Sequence, residues 1–293
     1  MTRSRHWRNN LIGYSFIFFP FLVYATFVLY PVFGTLQLSF TNWDGFERIR
    51  QFVGMANYVR MWKDPFFLES LYHNLIWILI GTSLPIAIGL PLAVILWSGV
   101  KGFQAFRTIY FMPLVLSSVV VGIIWGWIYN PVFGIANEFL RMIGLNSLMR
   151  AWLGDTSTAL AALIIAAAWQ YYGFCVIIFL AGLQNVDISL IDAAKIDGAS
   201  SLQRFFYVII PQMRNVLTMI ILYTLIGGFK VFDLVFVTTQ GGPAGATELL
   251  ATYLFKQAFQ LNYVGYAAAM AIFLAFLVIA VSVLFIRLRE RVA

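Results

Sequence analysis

The chain has 293 residues, 61% of them apolar and 11% charged, against about 45–50% and about 25% in soluble domains. So few charges cannot clothe a water-soluble surface, and the composition points to an integral membrane protein. The formal net charge of +7 is not gathered into a patch or stripe, which argues against nucleic-acid binding.

Six apolar runs are long enough to cross a hydrocarbon layer of about 30 Å. They cover residues 11–33, 71–97, 107–129, 158–181, 212–236 and 262–286. The first follows Arg3, Arg5 and Arg8, as a signal peptide would. It is longer than a usual h-region and shows no small-residue cleavage site, so an uncleaved span is expected. Residues 34–70 form a long loop in which Asp44-Gly45 of "SFTNWDGF" is a turn signal. Pro20, Pro85, Gly89, Pro91 and Pro113 lie within spans, where neighbouring helices can re-satisfy the backbone. Gly122 and Gly126 make a GxxxG, read either as chance or as a helix contact. A second loop, 130–157, carries Trp152. Cys175 sits alone in the fourth run; it permits no internal disulfide and reads as a buried structural thiol. Runs such as "LIIAAAW" and "MIILYTLI" are continuous and lack the alternation of barrel strands, so the spans are expected to be helices. The predicted fold class is an all-α polytopic membrane protein, residues 1–293 forming one transmembrane domain.

The cations are unevenly distributed. Arg3, Arg5, Arg8, Lys101, Arg107, Lys195, Arg204, Arg214, Arg287, Arg289 and Arg291 fall on one side of the six-span arrangement. Arg48, Arg50, Arg60, Lys63, Arg141, Arg150 and Lys256 fall on the other, where as many acids offset them. The basic side is expected to face the cytoplasm, which puts both termini and the Asp187–Arg214 interval inside.

Several chemistries lack their residues. No G-x-x-x-x-G-K-[ST] is present, and "GGPAGAT" at 241–247 has no Lys. No paired-Cys or H-E-x-x-H metal signature occurs, and His6 and His73 are far apart. No nucleophile–base pair is visible, so an enzyme is not expected. Lys230 and Asp233 are charges inside the fifth run, where they are costly and face a cavity or a partner. Their i,i+3 spacing would set them on one helix face. They read either as a mutual ion pair near the membrane surface or as part of a translocation path, with Tyr223 and Trp169 as candidate companions.

The polar stretch "DAAKIDGASSLQRFFYVIIP", residues 192–211, reads as a short helix. Ser189 is a candidate cap with Asp192 at its third position. Ala193 and Ala194 favour helix without bulk, and with Leu190 and Asp197 they make a narrow small face. Gly198 permits a turn, and Pro211 suits the start of the next helix. From these residues alone, the segment is equally an interfacial loop or a rigid element that another protein grips.

The same stretch resembles the cytoplasmic "EAA" loop of ABC importer permeases: Asp192-Ala193-Ala194, then Gly198, then Val208-Ile209-Ile210-Pro211. Asp stands where that pattern has Glu, so the carboxylate reaches one methylene less far. "YPVFGTLQLSFTNW" from Tyr30, "FRTIYFMPLVLSSVVVGIIWGWIYNPVFGIAN" from Phe106 and "DLVFVTTQGGPAGATELLATYLFKQAF" from Asp233 resemble further segments of the MalF-type permeases of carbohydrate and glycerol-3-phosphate importers. The resemblance implies one of two related permeases, with two ATPase subunits on the cytoplasmic face and an extracytoplasmic solute-binding protein. It implies a bacterial or archaeal inner membrane and a sugar or polyol as solute. It makes Asp192, Ala193, Ala194, Asp197, Gly198 and Pro211 the ATPase-coupling element. No cofactor is expected on this chain; ATP and Mg would bind the partner ATPase. The rivals are an importer permease for a non-sugar solute, a non-transporting scaffold or receptor, an intramembrane enzyme and an ion-driven transporter.

Overall fold

The structure, a computed structural model, describes residues 14–47, 50–99 and 101–291. Arg3, Arg5, His6, Arg8, residues 11–13 of the first run, and Arg48 lie outside the described residues, as does the side chain of Arg291. Among the described residues the architecture is helical, with one isolated antiparallel bridge between Thr41 and Phe52. In chain order the helices are α1 (Tyr14–Leu38), α2 (Ala56–Lys63), α3 (Pro65–Trp97), α4 (Phe103–Val115), α5 (Ser118–Ile128), α6 (Ile135–Met142), α7 (Ala159–Leu183) and α8 (Ile188–Ile196). There follow α9 (Ser201–Gln212), α10 (Arg214–Phe229), α11 (Asp233–Thr238), α12 (Leu250–Phe255) and α13 (Val264–Arg291). Among the described residues four helices (α1, α3, α7 and α13) are long and apolar enough to cross a membrane, and the number reaches six if the bent pairs α4–α5 and α9–α10 each count as one span.

The chain divides into two compact units: Met1–Asp64 with Leu254–Ala275, and Pro65–Tyr253 with Phe276–Ala293. In the first, no residue of α1 is buried and most of its apolar side chains are exposed. The loop after it is tied down locally. The Asn57 amide donates to the carbonyls of Ser39 and Thr41, both at 2.9 Å. Trp43 accepts from Gly265 N–H at 2.9 Å. The Arg60 guanidinium lies over the rings of Tyr263 and Tyr266, and Tyr266 donates to Asp64 at 2.7 Å.

In the second unit α7 is the central helix, and most of its residues are buried. Small residues make that possible. A Cβ on Gly89 of α3 would sit 2.7 Å from the Cβ of Cys175, and one on Gly173 would overlap the Tyr110 carbonyl of α4. In lipid there is no water to release, so close packing of this kind drives helix association. Phe179, Leu183, Met213 and Ile220 fill one cluster, and Trp77, Val121, Leu163 and Leu249 fill another.

The helix boundaries depart from the sequence expectation in several places. The run 107–129 is not one helix. It breaks at Leu116–Ser117, and α4 and α5 meet at 99°. Ser117 caps α5 by accepting from Val120 N–H, a better use for a serine hydroxyl than a helix interior. The run 212–236 also breaks. α10 ends at Phe229 and α11 begins at Asp233, after Gly227 and Gly228 have weakened the helix. Pro211 does not start α10; it lies in the last turn of α9, before a 75° bend at Met213. The cap of α8 is Asp187 rather than Ser189, and its carboxylate accepts from Ser189 N–H at 2.9 Å. Of the two GxxxG glycines, Gly122 faces Thr238 and Leu234 of α11, while a Cβ on Gly126 would meet nothing within 4 Å.

Candidate functional site

Two features of the second unit bear on function. The first is a pair of adjoining hollows, about 250 and 230 Å³, that share Trp77, Ala167, Tyr171, Gly227, Lys230 and Val231. Tyr223 and Thr224 line one; Ser118, Gln170 and Asp233 line the other. The walls exist because helices stop here. The break at Leu116–Ser117 frees a carbonyl, and the buried Gln170 amide of α7 donates to Leu116 O at 2.9 Å. The break after Phe229 closes with Lys230 N–H on Gly227 O at 3.0 Å. Irregular backbone within a membrane span is tolerated where it lines a cavity.

Lys230, Asp233 and Tyr223 all line these hollows, Tyr223 in one, Asp233 in the other and Lys230 in both. The proposed geometry for the charges is corrected. Lys230 caps the end of α10, Asp233 opens α11, and the intervening Val231 and Phe232 are not helical. They share no helix face, and the described residues show no ion pair between them. Both are exposed to the hollow. Trp169 is not on the wall. It is half-buried and meets Trp125 edge-to-face, centroids 5.8 Å apart. Helical geometry explains the swap: α7 turns Gln170 and Tyr171 to the cavity and Trp169 away from it. Sequence reading missed Trp77, Tyr171, Gln170 and Ser118. A glutamine inside an apolar run was the available signal, because an amide in lipid needs a partner.

The second feature is the α8–α9 element. Asp187 caps the start of α8; hydrogen bonds from the Ser189 hydroxyl and N–H hold its carboxyl below the usual range. Asp187 N–H in turn donates to the Gln212 side chain at 2.8 Å. At the far end Gly198 takes φ +80°. Its N–H bonds Lys195 O, and Ala199 N–H bonds Ala194 O at 2.9 Å, which closes the helix as a left-handed cap does. Ser200 and Gln203 then form a reciprocal capping box for α9, and Arg204 donates to Ala199 O at 2.6 Å. Asp192, Ala193 and Asp197 are exposed, Ala194 half so. Ile188, Leu190 and Ile196 also stand in the open, Ile196 at 86%. Beside them a hollow of about 340 Å³ is lined by Ala194, Asp197, Gly198 and Tyr207. This is a stiff, doubly capped helix offering small and apolar groups outward. Among the described residues no group of three His, Cys, Asp or Glu is placed to hold a metal.

Residues 85–293 match the model of a family described as "Binding-protein-dependent transport system inner membrane component". The chain is 36% identical over 279 residues to the probable ABC transporter permease protein YurN of Bacillus subtilis, covering 94% of this chain and 95% of that one. It is 33% identical to the multiple sugar-binding transport system permease protein MsmF of Streptococcus mutans, covering 97% of each. In fold it is similar to a chain of a bacterial ABC transporter involved in the import of the acidic polysaccharide alginate, with a TM-score of 0.83 and 20% identity over the full length of both.

Proposed function

The chain belongs to the binding-protein-dependent transport inner-membrane component family, the permease subunits of ABC importers, and on that premise we propose that it forms half of a path for a sugar or related polyol. Permeases of this family are not enzymes, and ATP hydrolysis resides on a separate subunit. The assembly is a type I importer with a paired permease, ATPase subunits and an extracytoplasmic solute-binding protein.

The observation that carries the reading is the α8–α9 element. Asp192, Ala193, Ala194, Asp197 and Gly198 sit on a helix whose ends are closed by its own residues and whose outward groups lack a cover among the described residues. A helix of this kind moves as a unit when a partner grips it. In this reading an ATPase subunit takes α8 into a groove. α9 carries the motion past Pro211 to the bend at Met213, and α10 delivers it to the cavity wall at Tyr223 and Lys230. The bent pairs count as single spans, which gives six. On the positive-inside reading both termini and α8 lie in the cytoplasm, in the inner membrane of a bacterium or archaeon.

The solute class rests on the cavity and on the similarity to MsmF. Trp77, Tyr171 and Tyr223 offer ring faces, while Lys230, Asp233 and Gln170 offer donors and acceptors of both signs. Apolar faces with a few convergent polar groups suit a polyhydroxylated ring. The test is ATP hydrolysis by the complex, reconstituted with its second permease, ATPase and binding protein, against a panel of sugars, polyols and glycerol phosphates. One solute of the panel is expected to stimulate turnover, and Gly198→Val to reduce that stimulation at least about 10-fold. Stimulation by solutes outside the panel alone would remove the sugar branch. Stimulation that persists undiminished in Gly198→Val would remove α8 as the coupling element.

A further inference from the structure

Lys230 is held at the cavity by a turn, and that turn has a second tether. Asn74 of α3 is fully buried and uses both ends of its amide. Its nitrogen donates to Gly228 O at 3.2 Å, inside the terminal turn that Lys230 N–H closes on Gly227 O. Its oxygen accepts from Leu250 N–H at 3.2 Å, at the first residue of α12. The neighbouring His73 lies with Nδ1 3.2 Å from Glu248 O. One helical turn further, Trp77 lines both hollows.

Gly228 O and Leu250 N–H are each end groups of a helix, with no intrahelical partner. They belong to segments that approach through this side chain. The Leu250 side leads directly into the Gly241–Glu248 turn. That turn is a stiff body: Thr239 and Thr247 hydroxyls bond at 2.7 Å, and Thr247 donates to Gly242 O at 2.7 Å. Gly241, at φ +85°, lies against the Glu248 carboxylate so closely that a Cβ there would overlap it. A displacement of the turn therefore has a short route to Leu250, and from Leu250 through one amide to the turn that holds Lys230.

We propose that Asn74 is a positioning residue that ties the cavity wall at Lys230 to the Gly241–Leu250 segment, so that the two move together. Its significance for transport rests on reading the cavity as the solute site; the tether itself does not, and its test reads geometry without any solute.

The native chain has one cysteine, Cys175, which is buried. In a Cys175→Ala background, Lys230→Cys and, separately, Tyr171→Cys are labelled with N-ethylmaleimide in the assembled complex. Each is measured with Asn74 intact and with Asn74→Leu. Losing the bond to Gly228 O is expected to raise the labelling rate of Lys230→Cys about 5-fold, the population change produced by one ordinary buried hydrogen bond. Tyr171→Cys, on the facing wall of α7, is expected to keep its rate. Gly241→Ala, which pushes on Glu248, is expected to shift the rate of Lys230→Cys with Asn74 present and not with Asn74→Ala. Rates that do not change, or that rise equally at both positions, would overturn the proposal. Asn74→Ala, which deletes both bonds without adding bulk, serves if Asn74→Leu does not reach the membrane. If neither reaches it, Asn74 is a folding residue and the proposal falls.

Discussion

The turn between α8 and α9 and the turn between α10 and α11 are both breaks in a helical chain, and they are held in different ways. The first is closed by its own neighbours. Asp187, Gly198, Ser200, Gln203 and Arg204 make their bonds within five residues of themselves, apart from the Asp187 N–H that reaches Gln212. The second depends on residues far away in the chain. Asn74 holds Gly228 from 154 residues off, and Trp77 and Tyr171 complete the wall. A locally closed turn keeps its shape when the rest of the molecule shifts, which suits an element that receives a push. A turn held by distant tethers changes shape when its neighbours move, which suits the wall of the proposed solute path.

The most damaging way to probe that contrast is Gly173→Val. The new Cβ would overlap the Tyr110 carbonyl, which is backbone and has nowhere to go. α4 would be forced off α7, and the Gln170 hold on Leu116 O would go with it. The chain is expected to fall to a small fraction of its normal membrane level, measured by immunoblot. Near-normal levels would mean that α4 can shift, and would weaken the case that close packing builds the cavity.

Gly198→Val separates the two regions. Space is open around Gly198, and only its φ of +80° resists a side chain, at about 1–2 kcal/mol. The expected result is normal membrane level with solute-stimulated ATP hydrolysis reduced at least about 10-fold, since that much strain is a factor of about 10 in an equilibrium. Loss of the chain from the membrane would make Gly198 a folding residue and erase the distinction.

The smallest effect is expected at Asp187, whose carboxyl is held below its usual range by Ser189. A lowered folded value means that the cap's contribution is fully present above the unfolded value, about 3.9, and is lost as pH falls through the folded one. Protection of the Ser189 amide from hydrogen exchange, corrected for intrinsic rates, should therefore weaken on acidification in the native chain. Asp187→Asn keeps an acceptor without a titrating group and should be flat over the same range. A pH response shared by both would place its origin elsewhere.

The same contrast governs how much could be read in advance. The α8–α9 turn was legible in part because its code is local: Gly198 for a turn and small residues ahead of it, although the Ser200–Gln203 box beyond it went unread. Even there the cap was misplaced by two residues, since Asp187 and Ser189 are both acceptable caps and only the path of the chain chooses. The cavity was legible in part. Lys230 and Asp233 stood out because charge in an apolar run is costly, and Tyr223 was placed beside them. The ion-pair geometry failed because hydropathy does not register the break at Val231–Phe232, where the residues are as apolar as those of a helix. Trp169 and Tyr171 are equally plausible by type, and the rotation of α7 decided between them.

By itself, the sequence determined the class of molecule, through a shortage of charge too great for any water-facing fold. It determined the apolar runs, the uneven distribution of the cations along the chain and the existence of one polar turn at Gly198. Only the tertiary structure decided where two of those runs break, because a broken helix in lipid is affordable only when a distant group such as Gln170 or Asn74 takes up the freed backbone. Which side chains share a cavity was settled in the same way, by the rotation of packed helices about one another.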